Sequence, residues 1–275
     1  MKNILTVFLF LQLLIIVSCN NADKPESEAD AEVHPDTSAN LTSDIMDPHQ
    51  SMEMRDYTPL FQLLNIRKEN FMKNAPKDVI DDYQKAIDEV YNTGVTRRAL
   101  NRGDEAPDFT ALTTDSTKIS SEEIYKNLPV VIVWYRGGWC PYCNIQLTAY
   151  NEYKEAFEEL GAKMYAISPE MPSFSDETTE KNALAFEVLS DPGNKAAKAF
   201  NIVYKLPVSA KKHYEGKMDL PKYNGDESWE LPLSAVYVIN KDRKIEYVFL
   251  DADYRNRAEP SDVLSVLADM KKRKP

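Results

Sequence analysis

The sequence predicts an α/β layer structure preceded by a helical hairpin, and three observations carry this. After residue 103, apolar runs of strand character alternate with segments of helical period. One of those runs, residues 130–135 (Val-Val-Ile-Val-Trp-Tyr), is continuous and β-branched, as a strand buried on both faces requires. Residues 58–93 carry apolar stripes at helical spacing. The chain has 275 residues, 43% apolar and 28% charged, with only three cysteines, which excludes a disulfide-framework mini-protein and a wholly disordered chain. It is long enough for one good-sized core with appendages.

The elements follow in order. Lys2 and the apolar stretch 4–17 form a secretory signal, too short and too terminal for a permanent membrane helix. The segment Ile16-Val17-Ser18-Cys19 resembles the bacterial lipobox, which implies cleavage after residue 18 and lipid anchoring through Cys19. Residues 19–56 then read as a solvated tether, with ten acidic residues against two basic ones and no lasting hydrophobic period. Most of the net charge of −11 resides there, and such acidity excludes a nucleic-acid surface. His34 and His49 in this stretch are read as solvated linker residues.

Residues 57–100 are assigned to the hairpin. Leu60, Phe61, Leu64 and Phe71 mark a first helix over 58–74, and Val79, Ile80, Tyr83, Ile87, Val90 and Tyr91 a second over 77–93. Pro76 suits the start of the second and Gly94 its end. Their apolar stripes are read as bracing the core or a dimer interface. Residues 101–275 form the main domain, with strands at 130–135, 163–168, 236–240 and 244–249 and helices at 141–160, 180–185, 194–200 and 261–271. No internal repeat is present.

The chemistry is concentrated at Tyr135-Arg136-Gly137-Gly138-Trp139-Cys140-Pro141-Tyr142-Cys143-Asn144, between the buried strand and the following helix. A Cys-x-x-Cys on the first turn of a helix places two sulfurs within disulfide reach, and the free N–H groups and helix dipole there favour thiolate, the nucleophilic form. Pro141 has no N–H to lose at that position, and Gly137 and Gly138 permit the tight turn. Arg136 is read either as a cation beside the sulfurs or as a solvated one. With Cys19 set aside, these are the domain's only cysteines. A structural disulfide and a copper site using both sulfurs and His213 remain open; zinc is disfavoured because the domain offers only His213 besides the pair.

The segments PDF at 107–109, WYRGGWCPYCN at 134–144, AISPE at 166–170, VLSDPGNKAAKAF at 188–200 and VYVINKDRKIEY at 236–247 occur in an order that resembles the alkyl hydroperoxide reductase and thiol-specific antioxidant (AhpC/TSA) superfamily, in its peroxiredoxin-like branch. The resemblance covers residues 58–272. It implies a thioredoxin-like fold, a central mixed sheet flanked by helices, and reduction of hydroperoxides through a Cys sulfenic acid without a bound cofactor or metal. Aligned with the peroxiredoxin pattern, Cys143 takes the peroxidatic place, Cys140 the place of a Thr and Arg136 that of a Pro. Ser234 stands where peroxiredoxins hold an Arg and thioredoxins a cis-Pro. Arg136, Arg255 and Arg257 are candidate replacements for that Arg, although surface salt bridges are the expected role of the last two.

The resemblance therefore implies a thiol peroxidase of the cell envelope, with Cys143 attacking, Cys140 resolving and a thioredoxin-like dithiol resetting the disulfide. Trp139, Tyr142 and Ser234 are the candidate pocket residues. A protein-disulfide reductase, with the cysteine roles reversed because Cys140 is taken as the more exposed position, and a redox-inert or metal-handling module are the alternatives. Residues 204–232 form a long insertion of little periodicity, read as a cover over the site that contributes Tyr223 and Trp229. The oligomeric state is not legible.

Overall fold

Residues Val130–Trp134 form β3, and all five are buried. In the computed structural model, which describes residues 58–127 and 129–273, this strand lies inside a seven-stranded sheet. Its neighbours are β4 (Lys163–Ser168), parallel, and β8 (Ser234–Ile239), antiparallel. β5 (Glu187–Ser190) runs parallel to β4, and β9 (Ile245–Asp251) antiparallel to β8. β1 (Thr110–Leu112) and β2 (Lys118–Ser120) extend the β5 edge, giving the order β2-β1-β5-β4-β3-β8-β9. The β4-β3-β8-β9 portion, with a helical connection between the two parallel strands and a helix after β9, is thioredoxin-like. The proposed signal, Cys19 and the tether lie outside the described residues.

A β-strand sends alternate side chains to opposite faces, so β3 builds two cores. Ile132 and Trp134 face one, with Trp134 and Tyr237 each meeting the Phe200 ring, at 5.4 and 5.0 Å between centroids. Val131, Val133 and Tyr135 face the other, under α5 (Pro141–Glu152), α6 (Lys154–Glu159) and α11 (Pro260–Lys272). The expected helix over 141–160 is thus two helices. Tyr153 leaves helical geometry between them, and Phe157 is buried against Tyr150.

The two N-terminal helices are α1 (Leu60–Asn74) and α2 (Lys77–Asn92), followed by the single turn α3 (Val95–Arg98). They straddle the sheet. α1 buries Leu60 and Leu64 in the core beneath α5, whereas α2 buries Ala86 and Val90 in the opposite one. Phe71 and Tyr83 meet edge to face at 5.6 Å near their junction. Pro59 at the α1 N-cap provides no side-chain cap; instead the carboxylate of Glu259, the residue that opens α11, accepts the N–H groups of Leu60 and Phe61 at 3.0 and 2.6 Å. Two otherwise orphaned donors are satisfied by a residue nearly 200 positions away.

Three corrections follow. α4 (Ser121–Tyr125) is a short helix closed by a Ser120/Glu123 capping box that the periodicity did not reveal. The helix expected over 180–185 is instead α7 (Pro172–Lys181), whose buried face is Pro172, Ser175 and Thr178, so no apolar stripe announces it. After α8 (Lys195–Ala199), the insertion is not irregular: β6 (Val203–Lys205) pairs with β7 (Glu230–Pro232), and α9 (Val208–Lys211) and α10 (Leu220–Asn224) lie between them. The insertion is tied to α2 through Ser209 to Glu89 and through Lys212 and His213 to Asp82.

Candidate active site

β3 ends on Trp134, and the chain passes through Tyr135-Arg136-Gly137-Gly138-Trp139 into the N-terminus of α5. Gly137 has φ +151°, and a Cβ there would lie 2.2 Å from Trp139 Nε1. At Gly138 a Cβ would lie 1.9 Å from Thr178 Oγ1, so α7 can approach the loop only because no side chain intervenes. Asn144 pins the turn by donating to the Gly138 carbonyl at 2.8 Å.

Cys140 is the N-cap of α5, Pro141 its first residue, and Cys143 lies in its first turn. Both cysteines are free thiols and both are buried, Cys140 at 1% and Cys143 at 0% exposure, so Cys140 is not the exposed position expected. Each sulfur has its own guanidinium. Arg136 Nη1 lies 3.8 Å from Cys140 Sγ, and Arg257 Nη2 lies 3.4 Å from Cys143 Sγ. Arg136 is not a solvated cation. It is buried, donates to Tyr214 Oη at 2.8 Å, and lies over the rings of Tyr254 at 4.2 Å and Trp139 at 5.0 Å.

The surface salt bridge expected of Arg257 is likewise wrong, because this residue is buried against Cys143. Arg255 does pair with Asp253, at 2.7 Å, but buried rather than at the surface.

These placements divide the two sulfurs electrostatically. Burial by itself raises the Cys140 thiol, yet the hydrogen bond from Cys143, the charges of Arg136 and Arg257 and the Cys143 N–H outweigh it. Cys140 is therefore held well below the ordinary thiol range. Burial pushes the Cys143 thiol up, and the hydrogen bond and charge of Cys140 push it further than the two arginines can offset. The pair thus loses one proton readily and keeps the other, with the negative charge centred on Cys140 at the helix N-terminus.

A cleft of about 220 Å³ has Cys140 in its lining. Of the expected pocket residues, Trp139 and Tyr142 line it; Ser234 does not, being buried at the start of β8. The insertion contributes Tyr214 and Met218 to the wall in place of the expected Tyr223 and Trp229. Tyr223 meets Phe174 at 4.6 Å, and Trp229 lies beneath the Lys211 ammonium at 4.3 Å. His213 also lines the cleft but is bound to Asp82 at 2.7 Å. Among the described residues, no three His, Cys, Asp or Glu side chains are grouped to hold a metal.

Behind the turn lies Glu170, the last residue of the Ala-Ile-Ser-Pro-Glu segment, at 1% exposure. One carboxylate oxygen accepts the Gly138 N–H at 2.9 Å. Burial, which outweighs these hydrogen bonds, pushes its pKa up to about 7, and the Cys140 charge adds to the rise.

The family model for AhpC/TSA matches residues 102–248, more than half of the chain. The chain belongs to the AhpC/TSA family. Its curated relatives include a chloroplastic peroxiredoxin Q from Oryza sativa subsp. japonica, 27% identical over 161 residues that cover 58% of this chain and 62% of that protein. Another from Populus jackii is 33% identical over 103 residues, covering 38% of this chain and 48% of that protein. The chain therefore spans less than two thirds of the length of these curated relatives. Among solved structures, the peroxidoxin BcpB of Mycobacterium tuberculosis aligns with 62% of this chain and 98% of its own, at 19% identity and a TM-score of 0.49. The AhpC/TSA match contains Arg136, both cysteines, Glu170 and Tyr214, whereas Arg67, Phe71 and Tyr83 on one side and Tyr254 and Arg257 on the other fall outside it.

Proposed function

We propose that this member of the AhpC/TSA family is a thiol peroxidase in which Cys140 attacks the hydroperoxide and Cys143 resolves. One observation carries the reading: two neighbouring buried sulfurs each stand against a guanidinium at a helix N-terminus, and Cys140 lines the cleft. The Cys140 thiolate attacks the distal peroxide oxygen and the O–O bond breaks. The alkoxide departs and takes a proton to become the alcohol, while Cys140 is oxidised to sulfenic acid. The Cys143 thiol then attacks the Cys140 sulfur, forming the disulfide and releasing water. An external dithiol of thioredoxin type returns both thiols and is itself oxidised to a disulfide.

Arg136, which lines the cleft beside Cys140, offsets the charge that develops on the departing oxygen, the task that the family's Arg at the Ser234 position would otherwise perform, while Arg257 at Cys143 supports the Cys140 thiolate through its charge. The aligned peroxidatic place is Cys143, but the electrostatics favour Cys140 as the resting thiolate. A small hydroperoxide reaches Cys140 through the cleft, whereas a protein disulfide meets a sulfur at 1% exposure between Trp139, Tyr142 and Tyr214. That burial favours the peroxidase over the disulfide reductase.

Mass spectrometry of the reduced protein after a trace of peroxide tests the order. Sulfenic acid should accumulate on Cys140 in Cys143→Ser and none should form in Cys140→Ser. Sulfenic acid only in Cys140→Ser would reverse the roles. No peroxide consumption by the wild-type protein would end the peroxidase reading. Export to the cell envelope and lipid anchoring through Cys19 belong to the same proposal, supported by the pattern of residues 1–19. Cys19→Ala should leave the membrane fraction, and unchanged retention there would refute the anchor.

A further inference from the structure

We propose that the cleft selects organic hydroperoxides that carry an anionic group, and that Arg67 of α1 reads that group. This rests on the peroxidase reading and adds the substrate class to it. Three groups capable of positive charge line the cleft, Arg67, Arg136 and His213, and no Asp or Glu does, although the chain as a whole carries −11. Two of the three are committed: Arg136 to Cys140 and Tyr214, and His213 to Asp82. Arg67 is half-buried with its guanidinium over the Tyr142 ring at 6.0 Å, and it has no carboxylate partner among the described residues.

The rest of the lining is largely aromatic, with Phe71, Tyr83, Tyr142, Tyr214 and Tyr254; the Tyr142 ring lies under Arg67 and meets the Tyr254 ring, which in turn lies under Arg136. A volume of about 220 Å³ is far more than hydrogen peroxide fills. A ligand matching this arrangement places its hydroperoxyl group at Cys140 and Arg136, an aromatic or branched apolar body along the rings, and a carboxylate at Arg67. Arg67, Phe71 and Tyr83 come from helices outside the family match, so this selection belongs to the N-terminal addition and not to the shared domain.

The test compares cumene hydroperoxide with its 4-carboxylate as substrates of the full-length reduced protein, in wild type, Arg67→Gln and Arg67→Lys. Binding of the unreactive analogues 4-isopropylbenzoate and 4-isopropylbenzyl alcohol is followed in parallel by tryptophan fluorescence. The carboxylated substrate should be preferred about tenfold in kcat/KM, expressed in KM, and the preference should shrink as salt is raised. Arg67→Gln should bring the ratio near one, and Arg67→Lys should retain most of it. A wild-type ratio near one, or a ratio that Arg67→Gln leaves intact, overturns the selection while leaving the peroxidase standing. Arg67-dependent binding of 4-isopropylbenzoate without consumption of either hydroperoxide keeps the anion-reading role and removes the peroxidase.

Discussion

Replacing Glu170 by Gln should stabilise the reduced protein, and should do so only at neutral and alkaline pH. The carboxyl titrates at about 7 in the folded chain against an ordinary 4.5, chiefly because burial disfavours its charge. Between those two values the native state holds a proton that the unfolded state has released, so this group's contribution to stability declines as pH rises through the window. Each tenfold difference in proton affinity is worth ~1.4 kcal/mol, which places the full penalty on the order of 3 kcal/mol once both states are ionised. The glutamine amide still accepts the Gly138 N–H and never charges.

Urea denaturation under reducing conditions, at intervals from pH 4.5 to 8.5, gives the difference between variant and wild type. That difference should be near zero at the acid end and should grow to a few kcal/mol above pH 7. Asp191, raised by burial to about 6, titrates partly in the same range but is common to both proteins and cancels. A difference that stays flat with pH, or a variant less stable at pH 8, would refute the reasoning.

Three further outcomes are expected. Arg257→Gln should move the onset of peroxide consumption to higher pH, because one of the two charges that hold the Cys140 thiol down is lost, as read by the pH profile of stopped-flow kinetics. Gly138→Ala should destabilise the fold by roughly 1 to 3 kcal/mol, because its Cβ meets Thr178 Oγ1 at 1.9 Å; adding Thr178→Ala should recover most of the loss in thermal melts. Glu259→Ala should cost about 1 kcal/mol and raise hydrogen exchange in the first turn of α1, whose two leading N–H groups it leaves unpaired.

What could be read from the sequence was whatever is written in contiguous residues. β3 and β4 declared themselves as runs of buried β-branched and apolar residues, and the turn from Tyr135 to Asn144 displayed both cysteines, Pro141, Arg136, Trp139 and Tyr142 together. β1, β2, β6 and β7 are three residues each, too short to show a period, and α7 hides its buried face in Ser175 and Thr178. The site's remaining parts arrive from afar. Arg257 reaches Cys143 across 114 positions and Tyr214 reaches Arg136 across 78, and neither carries a local mark of that use. Arg257 is a candidate in the sequence, yet an arginine among aspartates reads as a surface ion pair until the fold buries it. Glu170 was visible within a recognised segment, but its function as an acceptor for the Gly138 N–H depends on where β4 ends.

The two guanidiniums beside the sulfurs also bear on the energetics of oxidation. Arg136 and Arg257 are buried, and among the described residues their polar partners are a phenol, a main-chain carbonyl and the sulfurs themselves, with no carboxylate. Joining Cys140 to Cys143 removes the one anion that balances these charges. The disulfide is then the electrostatically dissatisfied partner of the couple, so its midpoint potential should lie toward the oxidising end of the scale and a modest dithiol should suffice to reopen it.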